Sequence, residues 1–355
     1  MRDWDQADMN IAHDYDAILV VSFGGPERDT DVMPFLENVT RGRNVPRERL
    51  LEVAEHYRHL GGKSPINDQC RALISALEAE LAQHGPRLPI YWGNRNWHPF
   101  LIDTLRKMKD DGVRRALAFV TSAYSSYSGC RQYRENVKAA QEALAGDAPT
   151  VDKLRVFYNH PRFIAACAQR IKQALSRLPA SERADARLVF TAHSIPVGMA
   201  AVSDYQKQLE EACRLVAEAL DIASYRLAYQ SRSGPPSQPW LEPDVLDCLR
   251  QLHGEGAGVV VISPIGFISD HMEVLYDLDM EARNLARELG LRMERAETVG
   301  TRPEFISMIR ELILERIDDS LPKRAIGRFG PNHDLCPETC CLPVTRPGAA
   351  STIRG

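Results

Sequence analysis

Short apolar runs alternate along this chain with longer stretches in which apolar residues recur every three or four positions. YDAILVVSFGGP (15–26) reads as a buried strand closed by a Gly-Gly-Pro turn. LPIYWGNRNWHP (88–99) repeats the plan, and FLIDTLRKMKDDG (100–112) follows as an amphipathic helix ended by Gly112. RRALAFVTSAYSS (114–126) predicts a strand that runs into a hydroxyl-rich loop, and CRQYRENVKAAQEALAG (130–146) a helix. The alternation then starts again. KLRVFYN (153–159), ARLVFTAHSIP (186–196), YRLAYQSRSGP (225–235) and AGVVVISPIGFISD (257–270) predict strands. Residues 160–178, 203–222, 244–256 and 271–290 predict the helices between and after them, and 304–319 a last amphipathic helix. Strands alternating with helices imply parallel sheets covered on both faces. Two such series imply an α/β protein of two doubly wound domains, divided near 147–153, with ligands bound at strand carboxyl ends or between the domains.

Composition narrows the classes. The chain has 355 residues, 44% hydrophobic, with a net charge of −4. That is enough for two cores, and no dense basic stretch suggests a nucleic-acid partner. The start, MRDWDQADMNIAHDYD, is polar and acidic and unlike a secretory signal. AILVV and GVVVISPIGFI are too short to span a bilayer, so the expectation is a soluble, cytoplasmic protein without a transmembrane segment. Of eight cysteines, Cys70, Cys130, Cys167, Cys213 and Cys248 are scattered, and each read singly is a small buried hydrophobe. The others, Cys336, Cys340 and Cys341, crowd into CPETCC (336–341), and a disulfide framework is not expected in such a chain.

Several loops after strands carry residues able to do chemistry. In TAHSIP (191–196) His193 leaves an apolar strand and Ser194 follows it, but the Gly-x-Ser-x-Gly nucleophile elbow is absent. SPIGFISDHMEVLYDLDMEA (263–282) offers Ser269 or Asp270 as a helix cap, His271 in the first turn, and Glu273, Asp277 and Glu281 at four-residue spacing. Such a row is either a solvated acidic face or, beside an imidazole, a place for a hard or borderline divalent cation. HYRHLGGKSPIN (56–67) contains Gly-Lys-Ser, but the position where a phosphate loop needs its first glycine is Tyr57. Gly61 and Gly62 instead predict a tight turn. Arg95, in YWGNRNWHP, is either a surface arginine or a clamp for a substrate carboxylate.

Together, SFGGP, YRHLGGKSPIN, YWGNRNWHP, FTAHSIP, QSRSGPPSQPW and SPIGFISDHMEVLYDLDME resemble, in order, the ferrochelatase family, which inserts ferrous iron into porphyrins. The resemblance spans residues 18 to about 315. It implies two similar Rossmann-like domains with four-stranded parallel sheets and a cleft between them. Residues 14–150 and 151–303 would form the domains, and 304–355 a helix packed towards the first domain plus a cysteine-rich tail. By the same resemblance His193 and Glu273 are the catalytic pair, and His193, Glu273, Asp277 and Glu281 meet the iron. Phe23, Tyr57, Arg95, Tyr127 and Ser194 line the porphyrin, and the Phe23 ring excludes metal ligation at its position. Some members carry a 2Fe-2S cluster on three tail cysteines and one from the first domain. Here those are Cys336, Cys340, Cys341 and Cys130, with a four-thiolate zinc site or free thiols as alternatives. The charged stretch NVTRGRNVPRERLLEVAEHYRHLGG (38–62) favours coproporphyrin III over protoporphyrin IX. Haem-pathway enzymes are expected partners and a monomer or weak dimer the expected state. The rival readings are a cobalt or nickel chelatase of similar fold, and a haem-binding carrier or cluster-based sensor without turnover.

Overall fold

The computed structural model describes residues 14–42, 45–144, 146–234 and 237–343. The polar start and the last residues of the tail lie largely outside that range. The first half contains β1 (Ala17–Ser22), α1 (Asp29–Val39), α2 (Arg47–His59), α3 (Ile66–His84), β2 (Ile90–Asn94), α4 (Leu101–Asp110), β3 (Arg115–Val120), α5 (Gln132–Glu142) and β4 (Thr150–Lys153). Its sheet is parallel, in the order β2-β1-β3-β4. The second half contains α6 (Pro161–Arg177), β5 (Arg187–His193), α7 (Val197–Ala201), α8 (Tyr205–Ala219), β6 (Tyr225–Gln230), α9 (Val245–Gly254), β7 (Val259–Ser263), α10 (Met272–Val274), α11 (Arg283–Glu288), β8 (Arg292–Arg295) and α12 (Pro303–Ile317). Its sheet is parallel in the equivalent order, β6-β5-β7-β8. The expected pair of four-stranded doubly wound units is therefore present. Both central strands lie among helices on both faces, which is why AILVVS is buried at every residue.

Two details differ from the sequence reading. The strand expected over 153–159 is β4, Thr150–Lys153, and it completes the first sheet on β3. The apolar residues that prompted the expectation, Val156, Phe157 and Tyr158, are buried without pairing; Phe157 stacks on Phe119 at 5.5 Å. The helix after β7 is also not capped by Ser269 or Asp270. Its N-cap is His271, with no side-chain bond, and Asp270 instead pairs with Arg295 at 3.1 Å.

The two sheets share one apolar core. Tyr124, 1% exposed, reaches from the first half to donate to the Ile265 carbonyl at 3.0 Å and packs on Tyr205 at 6.2 Å. Gln208 on α8 accepts from the Ser125 amide at 2.7 Å and donates to its hydroxyl at 3.0 Å. A buried polar pair satisfied on both sides fixes the relation of the two halves. The last helix, α12, is tied to the first half through Arg310, which donates to the Gly85 carbonyl at 2.8 Å. Among the described residues, no helix is long and apolar enough to cross a membrane.

Candidate active site

His193 is the last residue of β5, at its carboxyl end, in register with Gln230 of β6. The loop after β7 presses against this strand end. Gly266 donates to the Thr191 carbonyl at 3.0 Å, and any β-carbon there would lie 2.6 Å from the Ala192 Cα. Tyr205 holds the His193 carbonyl at 2.9 Å. The ring is oriented from one side, because Nδ1 lies 2.5 Å from the Ser194 carbonyl oxygen. A carbonyl only accepts, so Nδ1 carries the proton and Nε2 presents its lone pair when the ring is neutral. Nε2 faces Glu273 Oε2 at 3.6 Å. The same carboxylate oxygen lies 3.9 Å from His271 Nδ1. Burial lowers the His271 pKa, with Glu273 opposing and His193 assisting, so His271 is kept neutral near pH 7.

The acidic row continues from Glu273 along a π-helical segment, Leu275–Ala282, set between α10 and α11. Its i to i+5 hydrogen bonding widens the turn, and residues four apart stay close to one line. Asp277 accepts hydrogen bonds from Ser231 and, at 3.2 Å, from Gln230. Burial pushes its carboxyl up to about 7, Ser231 opposes, and Glu273 and Glu281 add to the rise. Glu281 is raised by burial and then by Asp244. Carboxylates that are costly to ionise together are relieved by a cation. Asp279, between them, points elsewhere and pairs with Arg295 at 2.8 Å.

The first half supplies an aromatic wall. Phe35 packs edge-on with Phe23 at 6.3 Å and with Tyr57 and Trp97, both at 6.1 Å, and Met272 of α10 joins the same cluster. The Tyr57 hydroxyl is held protonated by burial and by nearby Glu273. His56 of α2 stacks on Tyr276 at 3.8 Å, bringing the two halves into contact beside Asp277. Arg95 lies over Phe23 at 5.6 Å and Tyr133 at 4.5 Å, and donates to Asn136 at 2.6 Å. Tyr127, further out, donates to Glu135 at 3.1 Å. Ser194 is buried and commits its hydroxyl to the Leu241 carbonyl at 2.8 Å. A cavity of about 440 Å³ lies on that far side, lined by Ser194, Tyr229, Asp244 and Asp247 but not by His193 or Glu273. The convergent side chains around His193 and Glu273 therefore lie apart from this cavity. Gln230 and Ser231 are not singled out by the sequence as site residues, their only signal being their place at the end of a strand, whereas His271 is legible as the imidazole beside the acidic row.

The thiols form a second group. Cys130 sits on a π turn, Tyr127–Arg131, whose N-cap Ser126 accepts from Gly129 at 2.9 Å. The tail reaches it by a wired path. Arg155 donates to the Arg324 carbonyl at 2.9 Å, Asn159 to Phe329 at 2.8 Å, and Glu211 accepts from the Arg328 amide at 2.6 Å. Arg134 then holds the Cys336 carbonyl at 3.2 Å and Arg131 the Cys340 carbonyl at 3.0 Å. Cys130 lowers the Cys336 thiol to about 7, against the effect of burial. Cys340 and Cys341 sulfurs are 3.6 Å apart. Cys70, Cys167, Cys213 and Cys248 are buried elsewhere with thiol pKa values raised by burial.

The ferrochelatase family model matches residues 15–317. This chain belongs to the ferrochelatase family. A ferrochelatase of Rhodopirellula baltica is 58% identical, over 94% of this chain and 95% of that protein. A coproporphyrin III ferrochelatase of Streptomyces griseus is 50% identical, over 97% of this chain and 98% of its own length. Among solved structures, SirB from Bacillus subtilis with Fe3+ superposes with a TM-score of 0.51 at 12% identity, over 86% of this chain and 96% of that one. At that identity the likeness concerns the fold alone. In a ferrochelatase of this fold, the His193–Glu273 pair lies at the strand end where the two halves meet.

Proposed function

We propose that this ferrochelatase inserts ferrous iron into coproporphyrin III, with His193 and Glu273 as its catalytic pair. The observation that carries the reading is the ring orientation: Nδ1 is occupied by the Ser194 carbonyl, and bare Nε2 faces a carboxylate at 3.6 Å. A free porphyrin must release two N–H protons as iron enters. Nε2 takes the first, and the imidazolium so formed is stabilised by Glu273. Glu273 is the adjacent acceptor for the second. Ferrous iron, as substrate, is drawn along Glu281, Asp277 and Glu273, whose oxygens replace its water. Phe23, Tyr57 and Trp97 offer the macrocycle an aromatic wall, and Arg95 and Tyr127 sit at its margin.

The preference for coproporphyrin III rests on the lip and on relatives. The surface of α2 carries ion pairs, Arg49 with Glu52 at 2.8 Å and Arg58 with Asp29 at 3.4 Å. Such a lip suits a substrate with four carboxylates better than one with two. Coproporphyrin III is also the substrate in the name of the Streptomyces griseus relative. Anaerobic assays with ferrous iron and each porphyrin test this: kcat/KM should be higher for coproporphyrin III, and a higher value for protoporphyrin IX would overturn the preference.

The thiol group fits a 2Fe-2S cluster. Two thiolates tetrahedrally bound to one metal at ~2.3 Å lie about 3.8 Å apart. Cys340 with Cys341 at 3.6 Å provides one such pair, and Cys336, whose thiol is acted on by Cys130, stands with it as the second. Arg131 and Arg134 place positive charge beside them. Such a cluster supplies a covalent closure of the tail onto the first half, and a one-electron centre. Cys340→Ser should remove the visible colour and lower the melting temperature before it lowers turnover; full colour in that variant would overturn the assignment.

A further inference from the structure

The tail and the π turn that it meets offer five donors, Cys130 on the turn and four in the tail, where a four-thiolate set uses only the cysteines. Besides the cysteines, His333 turns its ring to the same point, with Nε2 3.9 Å from the Cys340 sulfur. One donor atom each from His333, Cys336 and Cys340 lies within 4.8 Å of the other two. This is a set of one imidazole and two thiolates, spaced His-x-x-Cys-x-x-x-Cys in a single loop. The loop is anchored independently of any metal. Lys323 pairs with Asp334 next to His333, Arg134 holds the Cys336 carbonyl, and Arg131 holds the Cys340 carbonyl. Closing the three donors onto one ion therefore takes side-chain adjustments of about an ångström, with the backbone already placed.

We propose that His333, Cys336 and Cys340 form a mononuclear site for a borderline divalent cation of the zinc class. Two thiolates and an imidazole are the donors that such ions select, and a tetrahedral shell accepts them with one position to spare. Cys341 lies 3.6 Å from Cys340 but outside the three-donor group. The site lies wholly in the tail. It shares Cys336 and Cys340 with the cluster proposed above, needs His333, and does not need Cys130. The two occupancies therefore exclude each other, and each closes the tail loop in its own way.

The crossed requirement makes the test. Full-length protein is freed of metal under reducing, anaerobic conditions and titrated with Co2+, whose visible bands report tetrahedral thiolate and imidazole ligation. In parallel, iron and acid-labile sulfide are measured after reconstitution. Loss of a supporting group near a metal costs 10–100-fold in affinity, so loss of a donor belongs at or above the upper end. His333→Ala should weaken Co2+ binding by about 100-fold while leaving iron and sulfide unchanged. His333 is exposed, so this variant leaves the core intact. Cys130→Ser should do the reverse, keeping Co2+ affinity while iron and sulfide fall to background. Unchanged Co2+ affinity in His333→Ala, or its loss in Cys130→Ser, would overturn the tail site. Absence of iron and sulfide in the wild type would overturn the cluster alone.

Discussion

Asparagine at position 277 should make the protein more stable and a poorer iron binder, and the pH at which both effects appear is set by the structure. Asp277 is nearly enclosed, and burial raises its pKa from 3.8 to about 7. At pH 6 roughly one tenth of the empty sites would be ionised, and at pH 8 roughly nine tenths. If the ionised form receives ferrous iron, the KM for iron falls about tenfold between these pH values. Asp277→Asn keeps the acceptor for Ser231 and Gln230 but cannot ionise, so its KM stays high and flat. Stability moves the other way. Between pH 3.8 and about 7 the unfolded chain has lost this proton and the folded chain still holds it, so wild-type stability falls as pH rises through that window. The gap corresponds to at most about 4 kcal/mol, fully expressed above pH 7. The variant escapes that loss. Steady-state kinetics with limiting ferrous iron and denaturation midpoints, both at pH 6 and pH 8, measure the two trends. Parallel KM profiles for wild type and variant, or a variant that loses ground in stability as pH rises, would refute the reasoning.

Two other changes probe the frame around the site. Glu315→Gln breaks an ion pair with Arg155 at 2.5 Å, both side chains being almost wholly buried, so chemical denaturation should report a loss of about 3–5 kcal/mol. A loss under about 1 kcal/mol would contradict that account of how α12 is held. Gly266→Ala places a methyl group 2.6 Å from the Ala192 Cα, one residue before His193. It should cost about 1–3 kcal/mol of stability and more than tenfold in kcat; normal kinetics would mean that the strand end does not position the histidine.

Periodicity alone carried most of the architecture. Fully apolar runs such as AILVV marked central strands because a parallel sheet buries both faces. The pattern misled at Val156–Tyr158, since an apolar run reports burial and not which backbone it pairs with. His193 and Glu273 could be singled out because each follows a strand, where sites form. His271 was legible as an imidazole beside the acidic row, but its sharing of the Glu273 carboxylate is a contact made only in three dimensions. The cap expected from Asp270 gave way to Arg295, a partner 25 residues further on. The density of CPETCC was visible at once. Its meeting with Cys130 depends on a path through Asn159, Glu211 and Arg134 that no local pattern encodes.

The central claim is that bare Nε2 of His193, backed by Glu273, accepts the first porphyrin proton as iron enters. The most direct measurement is anaerobic single-turnover conversion of coproporphyrin III with excess ferrous iron, followed by visible absorption, in wild type and His193→Ala. Porphyrin binding is measured alongside by fluorescence quenching. Conversion by the wild type, with binding retained but conversion lost by at least about a hundredfold in the variant, is the predicted result. Equal conversion rates in the two proteins would contradict it.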